Sequence, residues 1–440
     1  MKLEEVSLFT SRRDLFIFLG TCLFILSYSL LIEFNNYKNL MQFDSALVEA
    51  TVLKQYTKTK ETKKGKLRTY QVLKLCAKSG FSFYTTANQE LPNILNQQIR
   101  LEIFPKKITF YHYITSFYSY SKILYIYKIK TLKQKLNQHI SSLHVEDNIT
   151  NIYQALYTAT PLNRELQSTF SKLGVSHLLA ISGFHLGVLS ALLFFLVKYP
   201  YKVLQNRYFP YRNSKFDIFI FVAFILLFYL LFLDSPPSLL RAFIMLIIGF
   251  FLYDRGIKII SMQTLFLTLI LLLAFFPRLF FALGFWLSIM GVFYIFLFLI
   301  HFKNLHKIWQ FILIPIWIYI LMLPYSLAIF GNFSIYHPLS IIWTTLFTLF
   351  YPLSILLHIV GYGDMFDSLL KMLIDLPKEA LYIKLEYPYL LLEIVLSLLA
   401  IYKREATYLL LSYTIVIFIY VYYIALNTTN FASSSLSVTI

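Results

Sequence analysis

The sequence predicts a polytopic α-helical membrane protein with a small extramembrane β-barrel domain, and three observations lead there. Hydrophobic residues make up 58% of the 440, and only 14% are charged, a balance suited to a chain solvated largely by lipid. Apolar runs approaching or reaching the ~20 residues needed to span a bilayer recur along the chain. One long polar stretch, residues 33–175, interrupts them. It carries twenty Lys and Arg against nine Asp and Glu, so +11 of the formal charge of +17 sits in one third of the chain. That excess points to a polyanionic partner, either nucleic acid or anionic lipid.

The first apolar run, Leu15–Ile32, follows Arg12 and Arg13, which places the N-terminus in the cytoplasm and residue 33 outside. Glu33-Phe-Asn-Asn follows the run where a small-residue cleavage site would stand, so the run is read as an anchor rather than a removable signal. Further candidate spans are 178–197, 216–233, 238–252, 260–276, 280–300, 308–330, 338–360, 388–402 and 406–426. Lys198, Lys202, Arg207, Arg212 and Lys215 make the loop after the second span basic, hence cytoplasmic. Asp254, Arg255 and Lys258 fit the next inside loop, and Lys303 and Lys307 the one after. Counting onward puts Lys403 and Arg404 outside, against the positive-inside rule, whereas the uncharged tail after Asn427 prefers the outside. The count between 308 and 400 is therefore expected to be off by one. Pro315, Pro324, Pro338 and Pro352 mark that region as the place for a re-entrant segment. Cys22 lies in an apolar run and Cys76 in a polar one, so neither a disulfide nor a zinc site is expected.

Within the polar stretch, residues 46–58 alternate apolar and polar side chains, as a half-buried strand does. Further strands are expected at 69–76, 81–86 and 98–104, with another apolar segment at 108–113. Short strands at this spacing fit a small barrel, of which an oligonucleotide-binding (OB-like) barrel is one option. Lys58, Lys60, Lys63, Lys64, Lys66 and Arg68 crowd one hairpin, a basic loop suited to tracking phosphates. Lys106 and Lys107 precede Phe110, Tyr111 and Tyr113, an interleaving of cations with aromatic faces that single-stranded nucleic acid needs. Two other readings stay open: a solvated lysine loop, and an aromatic belt lying on the bilayer. Residues 128–175 read as amphipathic soluble helices.

The polar groups at membrane depth come next. Gly174-Val-Ser-His-Leu-Leu-Ala-Ile-Ser-Gly-Phe-His-Leu-Gly187 sets His177, Ser182, Gly183 and His185 inside an apolar run, where polar groups must pair or face water. Gly183 is expected to break the helix, with the two histidines flanking the break. Close helix packing through small residues is the alternative. In Asp234-Ser-Pro-Pro-Ser-Leu-Leu-Arg-Ala242, Pro236-Pro237 separates two spans and leaves Arg241 inside the membrane border. Either an ion pair, with Asp234 the nearest candidate, or a phosphate contact would satisfy it. Gly284 and Ser288, four residues apart, read as a packing face.

These phrases resemble the signatures of the ComEC competence family, proposed inner-membrane channels that bring transforming DNA into bacteria. His177-Leu-Leu-Ala-Ile-Ser-Gly-Phe-His-Leu-Gly187 is similar to the family's HLLAISGLHVG, Pro237-Ser-Leu-Leu-Arg-Ala242 to its P-S-x-x-R-A, and Gly284-Phe-Trp-Leu-Ser288 to its G-F-Q-L-S. Trp286 stands where the family has Gln, and Ile341 where it has Asn. The resemblance implies an inner-membrane DNA channel of five parts: a first helix (1–32), an OB-like periplasmic domain (33–127), a helical linker (128–175), a channel core (176–360) and C-terminal helices (361–440). Its substrate would be single-stranded DNA bound without sequence preference, with His177, Ser182, Gly183, His185, Asp234 and Arg241 along the path. A periplasmic DNA receptor would deliver DNA. No Walker A motif or HxHxDH zinc motif occurs in the sequence. Drive is therefore expected from a cytoplasmic ATPase or helicase or from the proton gradient, and strand degradation from a separate nuclease. No cofactor, metal or catalytic residue is expected. Two rival readings are an intramembrane hydrolase using Ser182 with His177 or His185, and a transporter of another anionic substrate.

Overall fold

Among the described residues, seven helices are long and apolar enough to cross a membrane. The computed structural model describes residues 11–61, 67–105, 108–127, 132–257, 259–376, 381–429 and 437–439. The described residues form two units, one drawn from 11–142 with 270–282, the other from 143–269 with 283–440.

The first unit begins with α1 (Arg12–Met41), started by a reciprocal cap in which Ser11 and Asp14 satisfy each other's backbone N–H groups. The sheet strands follow: β1 (Ala46–Glu61), β2 (Leu67–Ala77), β3 (Ser82–Ala87) and β4 (Gln98–Phe104). After the short helix α2 (Phe110–Thr115) come β5 (Phe117–Tyr118) and β6 (Tyr120–Ile126), then α3 (Leu132–Leu143). Six strands make one curled sheet in the order β5-β3-β2-β1-β4-β6. All neighbours are antiparallel except β3 and β5, which run parallel with Phe83 beside Phe117. One residue, Ser119, separates β5 at one edge from β6 at the other, and its amide donates to Tyr84 O on β3. The alternating apolar residues Val48, Ala50, Val52, Leu73, Leu75, Phe83, Ile99, Leu101 and Ile103 fill the concave side, as a period of two requires.

The expected segment at 108–113 is where the sequence reading needs correction. Thr109 caps α2 through its side chain, and the helix turns Tyr113 and Ile114 into the core. Arg278, in the turn Pro277–Phe281, grips Glu33 through two bonds of 2.7 Å and lies 5.0 Å from the Tyr113 ring centre. Tyr113 is 1% exposed, so its ring offers no base-stacking face, and Phe110 is half-buried against the same core. Of the three aromatic residues proposed there, Tyr111 alone is exposed.

The second unit is helical. After α4 (Asp147–Thr158) and α5 (Arg164–Lys172), the short α6 (Ser176–Leu179) precedes α7 (Gly183–Tyr208), α8 (Ser214–Phe232) and α9 (Pro237–Asp254). Next come α10 (Met262–Phe275), whose second half belongs to the first unit, α11 (Leu283–His301) and α12 (Lys307–Ile329). Strand β7 (Asn332–Phe333), α13 (Ser340–Val360), α14 (Asp367–Ile374), β8 (Leu381–Lys384), α15 (Tyr387–Ala400), α16 (Arg404–Thr429) and β9 (Ser437–Thr439) complete the chain. The expected spans are largely helical, except that 178–197 is interrupted at 180–182 and 280–300 begins in the turn Pro277–Phe281. Pro315 and Pro324 sit inside α12 and Pro352 inside α13 without ending them.

Two sets of contacts fix the ends of this bundle. Strand β8 pairs with β7 and with β9, gathering the end of α12, the start of α15 and the segment beyond α16. At the opposite end, His301 Nε2 donates to Ala400 O over 2.8 Å, which joins the α11–α12 loop to the α15–α16 turn. Helix α13 behaves differently, for both of its ends lie on the 143–174 segment. His337, just before it, reaches Ser171 O at 3.2 Å. His358, near its far end, meets His144 Nε2 at 3.1 Å and the Tyr157 hydroxyl at 3.3 Å. Asp367 holds His144 from the other side, with both carboxylate oxygens 3.0 Å from Nδ1.

Candidate functional site: a broken helix and a cationic sheet face

The helical unit brings its separate motifs to one place. Residues 180–182 are extended between α6 and α7, so the break falls just before Gly183. Ser182 caps α7: its side chain and the His185 ring satisfy each other's backbone N–H groups, with Ser182 Oγ 3.1 Å from His185 Nδ1. An extended residue with a hydroxyl at this position satisfies donors that a broken helix leaves open. Ser238 donates to Ile181 O over 2.7 Å, which pins the break to the start of α9. A Cβ on Gly183 would lie 3.1 Å from the Ala242 Cβ, so α7 and α9 meet where only a small residue fits.

One turn along α9, Arg241 is 3% exposed. It donates to Gly284 O over 3.1 Å and lies 5.7 Å from the Phe285 ring centre, joining the second motif to the third. The chain reaches this geometry through two consecutive left-handed residues, Asp234 at φ 62° and Ser235 at φ 51°. Such residues cost about 1–2 kcal/mol each and mark a turn that the surrounding packing must impose.

His185 is buried between Phe347 and Tyr351 of α13, with ring centres 5.1 and 4.8 Å away. Its Nε2 has no partner among the described residues. His177 is exposed and faces the Thr344 hydroxyl at 3.3 Å. Gly174 takes φ 73° with the His337 ring 3.1 Å from where its Cβ would be. Thus α13 covers the break along its length, a role that spacing in the sequence does not reveal.

The sheet unit presents a second arrangement. Lys63, Lys64, Lys66, Lys106 and Lys107 lie outside the described residues. Lys58 and Lys60 on β1 and Arg68 on β2 are exposed, and the register sets Lys60 directly opposite Arg68. The same register sets Lys54 opposite Lys74, and Lys58 opposite Tyr70. With Tyr56 between Lys54 and Lys58, and Tyr84 beside Lys74 with the ammonium 5.6 Å from its ring centre, one face alternates cations and tyrosines. Lys54, Tyr56, Tyr70, Lys74 and Tyr84 were missed in the sequence because they become neighbours only through pairing, across a bulge at residues 52–54. Opposed like charges destabilise a strand pair. Loss of solvent around the Lys54 amine, and then repulsion from Lys74, lower its pKa from the usual lysine value.

Among the described residues no group of three His, Cys, Asp or Glu side chains is placed to hold a metal ion. Cys22 and Cys76 are free.

Comparison with known proteins places this geometry. The family described as Competence protein matches residues 159–429, which takes in the break, the Arg241 turn and α13. ComE operon protein 3 of Bacillus subtilis (strain 168) is 32% identical over 166 residues, covering 37% of this chain and 20% of that protein. The match thus spans one fifth of that relative's length. No solved structure matches.

Proposed function

The chain belongs to the competence protein family, and from that premise we propose that it is a membrane channel for the uptake of transforming DNA, a single strand passing through the helical unit. The observation that carries the reading is the convergence of the three motifs through Ser238 on Ile181, Gly183 against Ala242 and Arg241 on Gly284. Broken backbone at membrane depth is tolerated where it is buried in protein or lines a wet path. In this reading Arg241 supplies a phosphate contact beside the break, and His177 and His185 border it. Ser182 and His185 are a capping pair, and we assign them no catalysis. The hydrolase reading would rest on the same 3.1 Å contact, with the free His185 Nε2 in place of an orienting carboxylate.

The sheet would receive the DNA. Its strand order, with β3 parallel to β5 and β1 shared between β2 and β4, favours an OB-like barrel. The cation and tyrosine ladder supplies what an unpaired strand recognises: phosphate neutralisation with stacking faces. We place this unit outside the inner membrane of a bacterium, with the bilayer, a periplasmic DNA receptor, a cytoplasmic motor and a separate nuclease as partners.

The bundle contacts support a topology in which α13 lies along the outer mouth. Both its ends rest on 143–174, and the end holding Lys303, Lys307, Lys403 and Arg404 is joined through His301 and Ala400. If α13 does not cross, every basic loop falls on the inner side and the tail beyond α16 on the outer. The expected error of one span between 308 and 400 is then α13 itself.

The test of the channel is Arg241→Ala. Transformation is expected to fall by at least ~100-fold while the protein reaches the membrane at its normal level, since a charge at this depth is retained for function. Normal transformation would remove Arg241 from the path.

A further inference from the structure

Helix α15 carries the one acidic residue of the apolar helices α7–α13, α15 and α16 that lies more than a turn from a helix end. In Tyr387-Pro-Tyr-Leu-Leu-Leu-Glu-Ile-Val-Leu-Ser-Leu-Leu-Ala400, Glu393 is the seventh of fourteen residues. It is fully buried at 0% exposure. Its Oε1 receives the Tyr294 hydroxyl of α11 at 3.3 Å, and its Oε2 has no partner among the described residues. A carboxylate in that position would carry a full charge with one oxygen unsatisfied in a medium without water. The neutral acid is the form such a site accepts.

The surroundings are polar in one direction only, along the bundle. The Tyr294 hydroxyl is a junction: besides Glu393 it meets Ser397 Oγ at 2.9 Å and the Tyr325 hydroxyl of α12 at 3.4 Å. With one hydrogen and three neighbours, it can turn from one acceptor to another. Tyr325 lies near the end of α12 that leads into β7. Ser397 lies three residues before Ala400, whose carbonyl accepts a hydrogen bond from His301 Nε2 at the basic end. The titratable groups facing Glu393 are Tyr294, Tyr325 and, from α16, Tyr413. On α12, Trp317, Leu321, Leu323 and Leu327 are all buried.

We propose that Glu393 is an intramembrane proton-binding site through which proton entry is coupled to strand movement. The Glu393 O–H bond breaks as its proton passes to the Tyr294 oxygen while the Tyr294 hydroxyl proton passes to Ser397 Oγ, whose own proton goes to water on the basic side, leaving a carboxylate. A proton arriving by way of Tyr325 and Tyr294 re-forms the acid. No electrons move and no co-reactant is needed beyond protons on the two sides. The site lies apart from the Arg241 break, so ion and strand would use different helices of one bundle. The coupling half of this proposal rests on the channel reading, whereas proton binding by Glu393 does not.

The test uses the full-length protein in liposomes holding a pH-sensitive dye, with a single-stranded oligonucleotide added outside and an imposed inward proton gradient and membrane potential. Proton entry is expected with the native chain and should fall at least ~10-fold in Glu393→Gln, which keeps the shape and removes the titratable proton. Transformation by the same variant is expected to fall at least ~100-fold. Equal proton entry in native and Glu393→Gln liposomes overturns the proposal. Infrared spectroscopy guards against a merely misfolded variant. The native protein should show a protonated-carboxyl C=O band that disappears in Glu393→Gln with the helical amide band unchanged, and a band identical in both overturns the assignment. If deleting the protein leaves DNA uptake normal, the channel reading fails and the coupling with it. If deletion blocks uptake but Glu393→Gln transforms normally, the coupling alone fails.

Discussion

Single residues on the sheet face carry opposing demands of stability and binding. Lys60 opposite Arg68 is a repulsive cross-strand pair. Lys60→Glu turns it into an attractive one, so thermal unfolding should shift toward higher stability by about 0.5 kcal/mol. The same change should weaken oligonucleotide binding and reduce the salt slope by about one unit, because one phosphate contact is lost. A variant that gains stability and binds unchanged would take the ladder out of DNA contact. Lys54 makes a pH prediction. Its pKa is lowered by desolvation and by Lys74, and a phosphate would raise it again, so binding takes up a proton in the window between the two. Affinity should therefore fall as pH rises, starting below the range of an ordinary lysine, and Lys54→Gln should lack that fall. Titrating oligonucleotide affinity against pH for both proteins checks it.

At the scale of elements, α13 is the informative one. By length and composition it qualifies as a span, yet His337 and His358 tie its two ends to α5 and α4. Sequence patterning reports that a helix is apolar, whereas the partner that covers it decides whether it crosses. Cysteines placed at Tyr336 and Tyr362, on either side of α13, should both react with a membrane-impermeant maleimide added from outside. Reaction at only one of them would show that the helix crosses. The break before Gly183 is the opposite case, being nearly explicit in the sequence. A serine, a glycine and a histidine at the right spacing encode a cap, and the structure uses them as one.

For the whole molecule, the helices and the four main strands were readable because their periodicities are long and their breaks are marked by Pro, Gly and charge. The candidate site was readable in part. Arg241, Gly183 and His185 stand out as polar or small residues in apolar runs. Tyr113 misled because an aromatic beside lysines looks the same whether Arg278, 165 residues later, buries it or not. Glu393 carries the same kind of signal as Arg241, a lone charge amid leucines, but no motif surrounds it to mark it. The prediction at this scale concerns transport itself. Cells lacking the protein should hold labelled transforming DNA in a state that added nuclease can still reach, and restored protein should return it to protection. Protection without the protein would end the channel reading.

The β1–β2 ribbon has one more consequence. Strand β4 pairs with β1 only at residues 46–51, and β3 with β2 only at 71–76. The outer part of the ribbon, 58–61 with 67–70, is therefore two strands whose backbone edges have no partner strand among the described residues. Open edges of this kind invite other chains to add on and build aggregates, and lysines along them are the usual deterrent. Lys58, Lys60 and Arg68 stand on this part of the ribbon, where such a deterrent is called for. Replacing them all with neutral side chains would be expected to cost the protein its solubility in detergent as well as its ligand.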